Sequence, residues 1–171
     1  DNDDILELSQ LAGSGPLLVL TANRIKSLGR SIRANWPVAT IALASHYFNR
    51  VFDFTFGHVH LPSDDEVNLV AERNGSLADH AARLLRNAKL LPTALLARLP
   101  FRDIAAQDRF ALKHNIIVLE ARDLESYQHQ AETATRIAAR AKVPLAVAKD
   151  AEVVMFRAEV GSEDHFAVLI G

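Results

Sequence analysis

Hydrophobic positions recur at helical spacing in several segments of the chain. The clearest case follows Gly75, where apolar residues every three or four positions predict a helix with one packed face. Ser76 stands at the N-cap position and Asp79 follows three residues later, which is the spacing of a capping box. The positions predicted to face inward are Leu77, Ala81, Leu84, Leu85, Ala88 and Leu91.

Other segments repeat the helical pattern and are bounded by capping and breaking residues. Thr21 is predicted to cap one helix that Gly29 ends, and Asp123 is predicted to cap a long helix that continues to about Ala141. Residues 63–75 are polar and acidic, with a short helical candidate inside them. The remaining predicted helices cover residues 5–12 and 104–114, the second with Ile104, Phe110 and Ala111 inward and Asn115 at its end.

Short apolar runs between these helices predict strands. Residues 38–44 fit either a strand or a small buried helix, because so short a run does not distinguish the two. The last two predicted strands flank Gly161 and Ser162, the predicted turn of a β-hairpin. The predicted strands cover residues 17–20, 51–56, 93–99, 116–119, 153–158 and 165–170. The alternation predicts an α/β (α+β) fold, a mixed sheet flanked by helices and ending in a β-hairpin.

Composition and charge exclude several classes of protein. The chain has 171 residues, of which 49% are hydrophobic and 23% charged, as in a globular domain with a sizeable core. A net charge of -2 gives no basic surface for nucleic acid. No apolar run approaches the roughly 20 residues of a membrane span, and the acidic start is unlike a signal peptide. A cytoplasmic protein without nucleic-acid or membrane partners is therefore expected.

The absence of cysteine removes disulfides, thiol nucleophiles and thiolate zinc sites. His58 and His60 would face the same side of a strand and could ligate a metal, with Asp64, Asp65 or Glu66 completing the site. The alternative is a pair of surface imidazoles beside a solvated acidic loop. That alternative is favoured because no third ligand has a defined spacing.

Two further groups of residues invite a chemical interpretation. Asp79 and His80 are adjacent, but neighbours on a helix point about 100° apart, so a cap and a surface histidine are favoured over an acid–base pair. Arg83 and Arg86 could bind a phosphate, although Arg83 is expected to pair with Asp79 four residues earlier.

Residues 13–15 (Gly-Ser-Gly) form a glycine-rich turn that precedes a strand, whereas phosphate-binding loops follow a strand. No catalytic, cofactor-binding or metal-binding residue is assigned.

The segment from Ser76 through Pro92 resembles 3,4-dihydroxy-2-butanone 4-phosphate synthases, in which a Gly-His-Thr-Glu-Ala start and a Leu-x-Pro turn lead into a core strand. Alignment on Pro92 places Ser76, Leu77, Ala78 and Asp79 opposite Gly, His, Thr and Glu. In that family the histidine and nearby acidic groups hold a divalent metal and the sugar phosphate. Leucine and alanine side chains can do neither. The resemblance therefore implies the synthase fold with a degenerate site.

The last part of the chain is similar to the opening of GTP cyclohydrolase II. The matching residues are Val143, Pro144, Phe156, Arg157, Asp164 (in place of Glu), His165, Ala167 and Gly171. Asp123, Leu124 and Tyr127 match a closing motif of the synthase family. The resemblances together imply a degenerate synthase-like domain over residues 1–129, a helical linker over 130–144, and the first hairpin of a cyclohydrolase-like domain over 145–171. The ending at Gly171 suggests a piece of a longer protein.

These resemblances imply a non-catalytic N-terminal domain of a GTP cyclohydrolase II-like hydrolase of riboflavin biosynthesis, with a scaffolding, dimerisation or regulatory role. The family reaction opens the guanine ring of GTP with zinc-activated water and releases formate and pyrophosphate. No cofactor is expected in residues 1–171, and zinc is expected in the following C-terminal domain. That domain and a second copy of the chain are the expected partners. The alternatives are an active synthase acting on ribulose 5-phosphate and a phosphate-ligand sensor module.

Overall fold

The computed structural model describes residues 2–33, 35–133, 135–158 and 164–170. The chain divides into two compact units, Asp1–Val118 and Leu119–Gly171. The first unit contains α1 (Asn2–Ala12), β1 (Leu17–Thr21), α2 (Ala22–Ser27), β2 (Val38–Ala42), a 3₁₀ helix (Ser45–Arg50), α3 (Val51–Phe56), β3 (Leu69–Glu72), α4 (Leu77–Asn87), β4 (Ala94–Leu96) and α5 (Ile104–His114). The second contains α6 (Ala121–Thr133), β5 (Thr135–Lys142), β6 (Ala151–Ala158) and β7 (Asp164–Ile170).

The strands of the first unit form one sheet in the order β3-β2-β1-β4. Val19 in β1 stands opposite Thr40 of β2 and Ala94 of β4, and both pairings are antiparallel. The α/β class is confirmed, with helices and strands in both units. The mixed sheet is a wrong prediction, because every named strand pair in the described residues is antiparallel. Apolar runs locate strands but carry no information on their direction.

Strand β1 is buried on both of its faces. Leu18 and Leu20 join the main core cluster, which also includes Ile25 of α2 and Phe54 of α3. Val19 points the other way, because successive side chains of a strand alternate between the two faces, and it packs in a second cluster under α4. Burial on both faces explains why this strand reads as a continuous apolar run rather than as an alternating one.

The short helix α2 is held by its cap and by one arginine. The Thr21 hydroxyl accepts a hydrogen bond from the Arg24 amide, as the predicted N-cap should. The Arg24 guanidinium donates to the carbonyls of Phe54, Asp53 and Gly57 at 2.8, 2.8 and 2.6 Å. These carbonyls belong to the last turn and the end of α3, which leaves such groups without partners inside the helix. Arg24 therefore joins α2 to α3.

The predicted strand over residues 51–56 is wrong, because Val51–Phe56 is the helix α3. Its alternation of apolar and polar residues also contains a helical spacing, and the structure buries Val51, Phe54 and Thr55 while Phe52 and Phe56 stay exposed. Within residues 63–75, where a short helix was expected, the structure has a turn closed by a 3.0 Å bond from the Val67 amide to the Ser63 carbonyl, followed by β3 at Leu69–Glu72. Residues 38–44, left open between strand and helix, contain the strand β2.

Helix α4 forms as predicted, but it turns a different face to the sheet. Ala78 and Ala82 are buried against Val19 and Val38, whereas Leu77 is 69% exposed. Leu84 and Leu91 are also exposed. Apolar residues lie on both sides of this helix, so the spacing alone favoured the face with larger side chains. Small alanines on the buried face let the helix approach the sheet closely.

Two more predictions in the first unit need correction. Helix α5 ends at Asn115 as expected, with a left-handed backbone at that residue (φ 52°), and Ala111 is buried. Ile104, predicted to face inward, is exposed. Residues 116–119 were predicted to form a buried strand, yet they have no regular secondary structure and Ile117 is 84% exposed. An apolar run becomes a strand only where a partner strand is available for its backbone.

The second unit opens with α6 and continues as a three-stranded antiparallel sheet in the order β5-β6-β7. The long helix predicted to reach Ala141, and with it the helical character of the linker over 130–144, is wrong, because Thr135–Lys142 is the strand β5. The alanines of this segment favour helix, but pairing with β6 along its length overrides that preference. Asp123 lies inside α6 rather than at its cap, and its carboxylate accepts a 3.4 Å hydrogen bond from the Glu120 amide.

The predicted hairpin strands are confirmed as β6 and β7, which pair antiparallel from Ala151 opposite Ile170 to Arg157 opposite Asp164. The predicted turn at Gly161 and Ser162 lies outside the described residues. Within the part of the chain that the structure describes, no helix has the length and apolar character needed to cross a membrane.

Candidate functional site

The N-terminus of α4 is where the synthase resemblance places its site residues. The Ser76 hydroxyl accepts from the Asp79 amide at 3.3 Å, so the predicted N-cap is confirmed. The Asp79 carboxylate accepts from the Gly75 amide at 2.9 Å, one residue earlier than in a standard capping box. It also accepts from Arg83 Nε at 3.1 Å, as the four-residue spacing predicted. Asp79 is 2% exposed, so both of its oxygens are used inside the protein.

The neighbouring positions offer no ligand for a metal or a phosphate. Leu77, opposite the family histidine, is directed largely to solvent, and Ala78 is packed against the sheet. His80 is buried rather than on the surface as predicted, at 4% exposure. A divalent metal requires oxygen or imidazole ligands around one point. The side chains at these positions do not provide such a set.

The two histidines considered as metal ligands lie in an irregular segment. His58 and His60 follow α3 outside any strand, so the premise that they share a strand face is wrong. Both are exposed, and the His60 ring lies over Gly29, where a Cβ atom would come within 2.5 Å of Nδ1. Across the described ranges, no group of three or more His, Cys, Asp or Glu residues is arranged to hold a metal ion.

A cleft of about 580 Å³ lies between the connection from α2 to β2 and strand β3. Its apolar lining includes Ile32 and Leu69, which also pack against the main core cluster. Trp36 lines it as well and is half-buried. The backbone at Trp36 is fixed by a 3.1 Å hydrogen bond from its amide to the Arg33 carbonyl. This volume falls within the range of small-molecule pockets.

The charged lining of the cleft consists of Arg30, Arg33 and Asp64, an excess of one positive charge. Arg30 forms an ion pair with Asp64 and donates to the Pro62 carbonyl at 2.7 Å. The exposed Arg33 side chain forms no ion pair or hydrogen bond with other described residues. Among the described lining residues, the uncompensated cation is therefore Arg33, and Trp36 lines the same cleft.

Of the charged and aromatic residues of the cleft, the sequence pointed only to Asp64, as a possible metal ligand; Arg30, Arg33 and Trp36 were not singled out. The local signal was a cluster of arginines and a tryptophan directly after Gly29, a helix-ending glycine with a φ of 81°. The rest of the lining comes from Asp64 and from Leu69 and Ala71 of β3, about thirty residues further along the chain. The antiparallel pairing of β2 with β3, and the contacts of Arg30 with Asp64 and with the Pro62 carbonyl, bring these distant segments together.

Asp164, which with His165 matches the cyclohydrolase family, has a structural role in the second unit. Its carboxylate accepts from Arg157 Nε and Nη2, each at 3.0 Å, across the last pair of strands. This hydrogen bonding, and then the charge of Asp164, raises the pKa of Arg157. A paired, fork-shaped contact of this kind fixes strand register rather than supplying an acid or base.

The comparisons with known proteins bear on both units. No family model matches the chain. The chain is 28% identical, over 176 aligned positions, to the GTP cyclohydrolase-2 of Azospirillum brasilense. The alignment covers 99% of this chain and 44% of that protein, so the chain spans less than half the length of this relative. The likeness supports a GTP cyclohydrolase II-like region; the synthase-like domain over residues 1–129 stays a prediction.

Proposed function

We propose that the chain is a non-catalytic N-terminal domain of a GTP cyclohydrolase II-like protein of riboflavin biosynthesis. The observation that carries the proposal is its likeness to a GTP cyclohydrolase-2 along 99% of its length, which takes in both units. A match confined to the last hairpin would have left the first unit without a relative. The family reaction, GTP ring opening with release of formate and pyrophosphate, belongs to the parent protein in this proposal.

The positions aligned with the synthase site support the absence of catalysis in this region. Leu77 and Ala78 carry no polar atom in their side chains. The one acidic residue that remains, Asp79, is buried and bound to Gly75 and Arg83. A buried carboxylate with both oxygens satisfied stabilises a fold but is not available to a substrate. The aligned positions at the start of α4 therefore supply no side chain for metal-assisted chemistry on a sugar phosphate.

The proposal assigns this region a scaffolding, dimerisation or regulatory role in the cytoplasm. Its partners are a C-terminal cyclohydrolase-like domain of the same chain and a second copy of the protein. The catalytic zinc belongs to that C-terminal domain, because the present chain has no cysteine to hold it as thiolate. The reading frame is then expected to continue past Gly171 into a segment with a Cys-Asp-Cys motif.

The test is an activity measurement on the purified chain. We expect no release of formate from GTP with zinc present, and none from ribulose 5-phosphate with magnesium. The full-length GTP cyclohydrolase-2 of Azospirillum brasilense serves as the positive control with GTP. Formate from GTP would overturn the non-catalytic assignment. Formate from ribulose 5-phosphate would do so as well and would establish the active-synthase alternative.

A further inference from the structure

We propose that the cleft beside β3 binds a nucleotide, with Arg33 holding a phosphate group and Trp36 stacking on the base. Nothing in the family resemblance concerns these residues. Nucleotide binding would serve a regulatory N-terminal domain, yet it can be measured whether or not a catalytic domain follows.

The charge of the cleft favours an anion. Arg30 is committed to Asp64 and to the Pro62 carbonyl, so its charge is balanced locally. The charge of Arg33 has no ion-pair partner among the described residues. A guanidinium group presents donors in a planar fork that matches two phosphate oxygens. Asp65 and Glu66 follow Asp64 but do not line the cleft. Glu66 is bound to the Ser63 hydroxyl and amide at 3.0 and 3.3 Å.

The aromatic lining favours a ligand with a flat ring. Trp36 lines the cleft and is only half-buried, and an indole ring can stack on the π-face that every nucleic-acid base has. Ile32 and Leu69 place the cleft against the main core, so its apolar wall is supported from behind. The backbone hydrogen bond from Trp36 to Arg33 holds the two residues that carry these groups within one turn of the chain.

Trp36 is the only tryptophan of the chain, so its fluorescence reports on this cleft alone. The chain is titrated with GTP, ATP, guanosine and inorganic phosphate, and binding is followed by tryptophan fluorescence and in parallel by calorimetry. GTP and ATP are expected to change the fluorescence saturably and to release or absorb heat. Guanosine and inorganic phosphate each lack one of the two recognised groups and are expected to bind about tenfold more weakly or worse.

Arg33→Gln is expected to weaken GTP binding by about tenfold or more, since a charge-assisted contact to phosphate is lost. Arg102→Gln, which changes an exposed arginine outside the cleft lining, is the matched control and should bind like the unchanged chain. Trp36→Leu, followed by calorimetry, tests the stacking contact. Equal thermal midpoints for Arg33→Gln and the unchanged chain establish that its fold is intact.

Several outcomes would overturn the site. These are the absence of both fluorescence change and heat with either nucleotide, GTP binding by Arg33→Gln at full strength, and binding of guanosine or phosphate as tight as that of GTP. None of them affects the proposed function, which is tested by the absence of formate release. Conversely, formate release by the chain would overturn the proposed function and leave nucleotide binding in this cleft intact.

Discussion

Asp79 lies almost fully inside the protein, where its carboxylate accepts from the Gly75 amide and lies about 3 Å from Arg83 Nε through both oxygens. The first contact closes the turn before α4, and the second holds the arginine along the helix. Because Arg83 remains partly exposed, the ion pair is screened by water and contributes less than a fully buried pair would. The hydrogen bond to the turn is the larger structural contribution.

Asp79→Ala is expected to lower the free energy of unfolding by about 1–2 kcal/mol, because a charge-assisted acceptor is removed from a buried position. Urea denaturation of the chain measures this difference. The matched control is Asp108→Ala on the exposed side of α5, which should change the stability by less than about 0.5 kcal/mol. Equal stability of the two variants would show that Asp79 does not anchor α4.

Capping residues were predictable from the sequence because their contacts are local. Ser76 and Thr21 bond amides three residues away, so both partners lie within one window of the chain. Arg33 and Trp36 were not assigned, because their surroundings depend on a strand that follows much later. His80 was predicted to lie on the surface, because its burial depends on the direction in which α4 faces.

At the scale of elements, the orientation of α4 can be tested with two substitutions in one helix. Leu77→Gln changes an exposed side chain and is expected to alter stability by less than about 0.5 kcal/mol. Ala82→Leu adds volume where no part of the residue is exposed, against Val19 and Val38, and is expected to cost about 1–3 kcal/mol. The reverse order in urea denaturation would mean that the larger apolar side chains face the sheet.

The elements that were assigned wrongly share a physical cause. The run from Val51 to Phe56 satisfies both strand and helix spacing, and the neighbouring core decides between them. The alanines of Thr135–Lys142 favour helix in isolation, but β6 supplies a partner for every ladder position apart from one irregularity. Strand β1 was predicted correctly from a short apolar run that ends at a helix cap, and α5 from a helical spacing that ends at Asn115.

At the scale of the whole molecule, the boundary between the two units falls in an exposed apolar segment. Limited digestion with thermolysin, which cleaves before large apolar residues, is expected to cut first at Ile116, Ile117, Val118 or Leu119. These residues are exposed and have no regular secondary structure. Mass spectrometry of the early fragments identifies the sites. The same residue types in β1 are buried and serve as an internal control; early cleavage there would contradict the assignment of the boundary.

The central position of β1 also has a consequence for the order in which the chain assembles. Its pairing with β2 joins segments that are close in sequence, whereas its pairing with β4 must wait until Ala94–Leu96 have been synthesised. Closing the larger loop costs more chain entropy, and contacts between distant segments form more slowly. During synthesis one edge of β1 therefore stays open after β1 has paired with β2. The Thr93 hydroxyl, which donates to the Val19 carbonyl at 2.6 Å, helps to close that edge as β4 arrives.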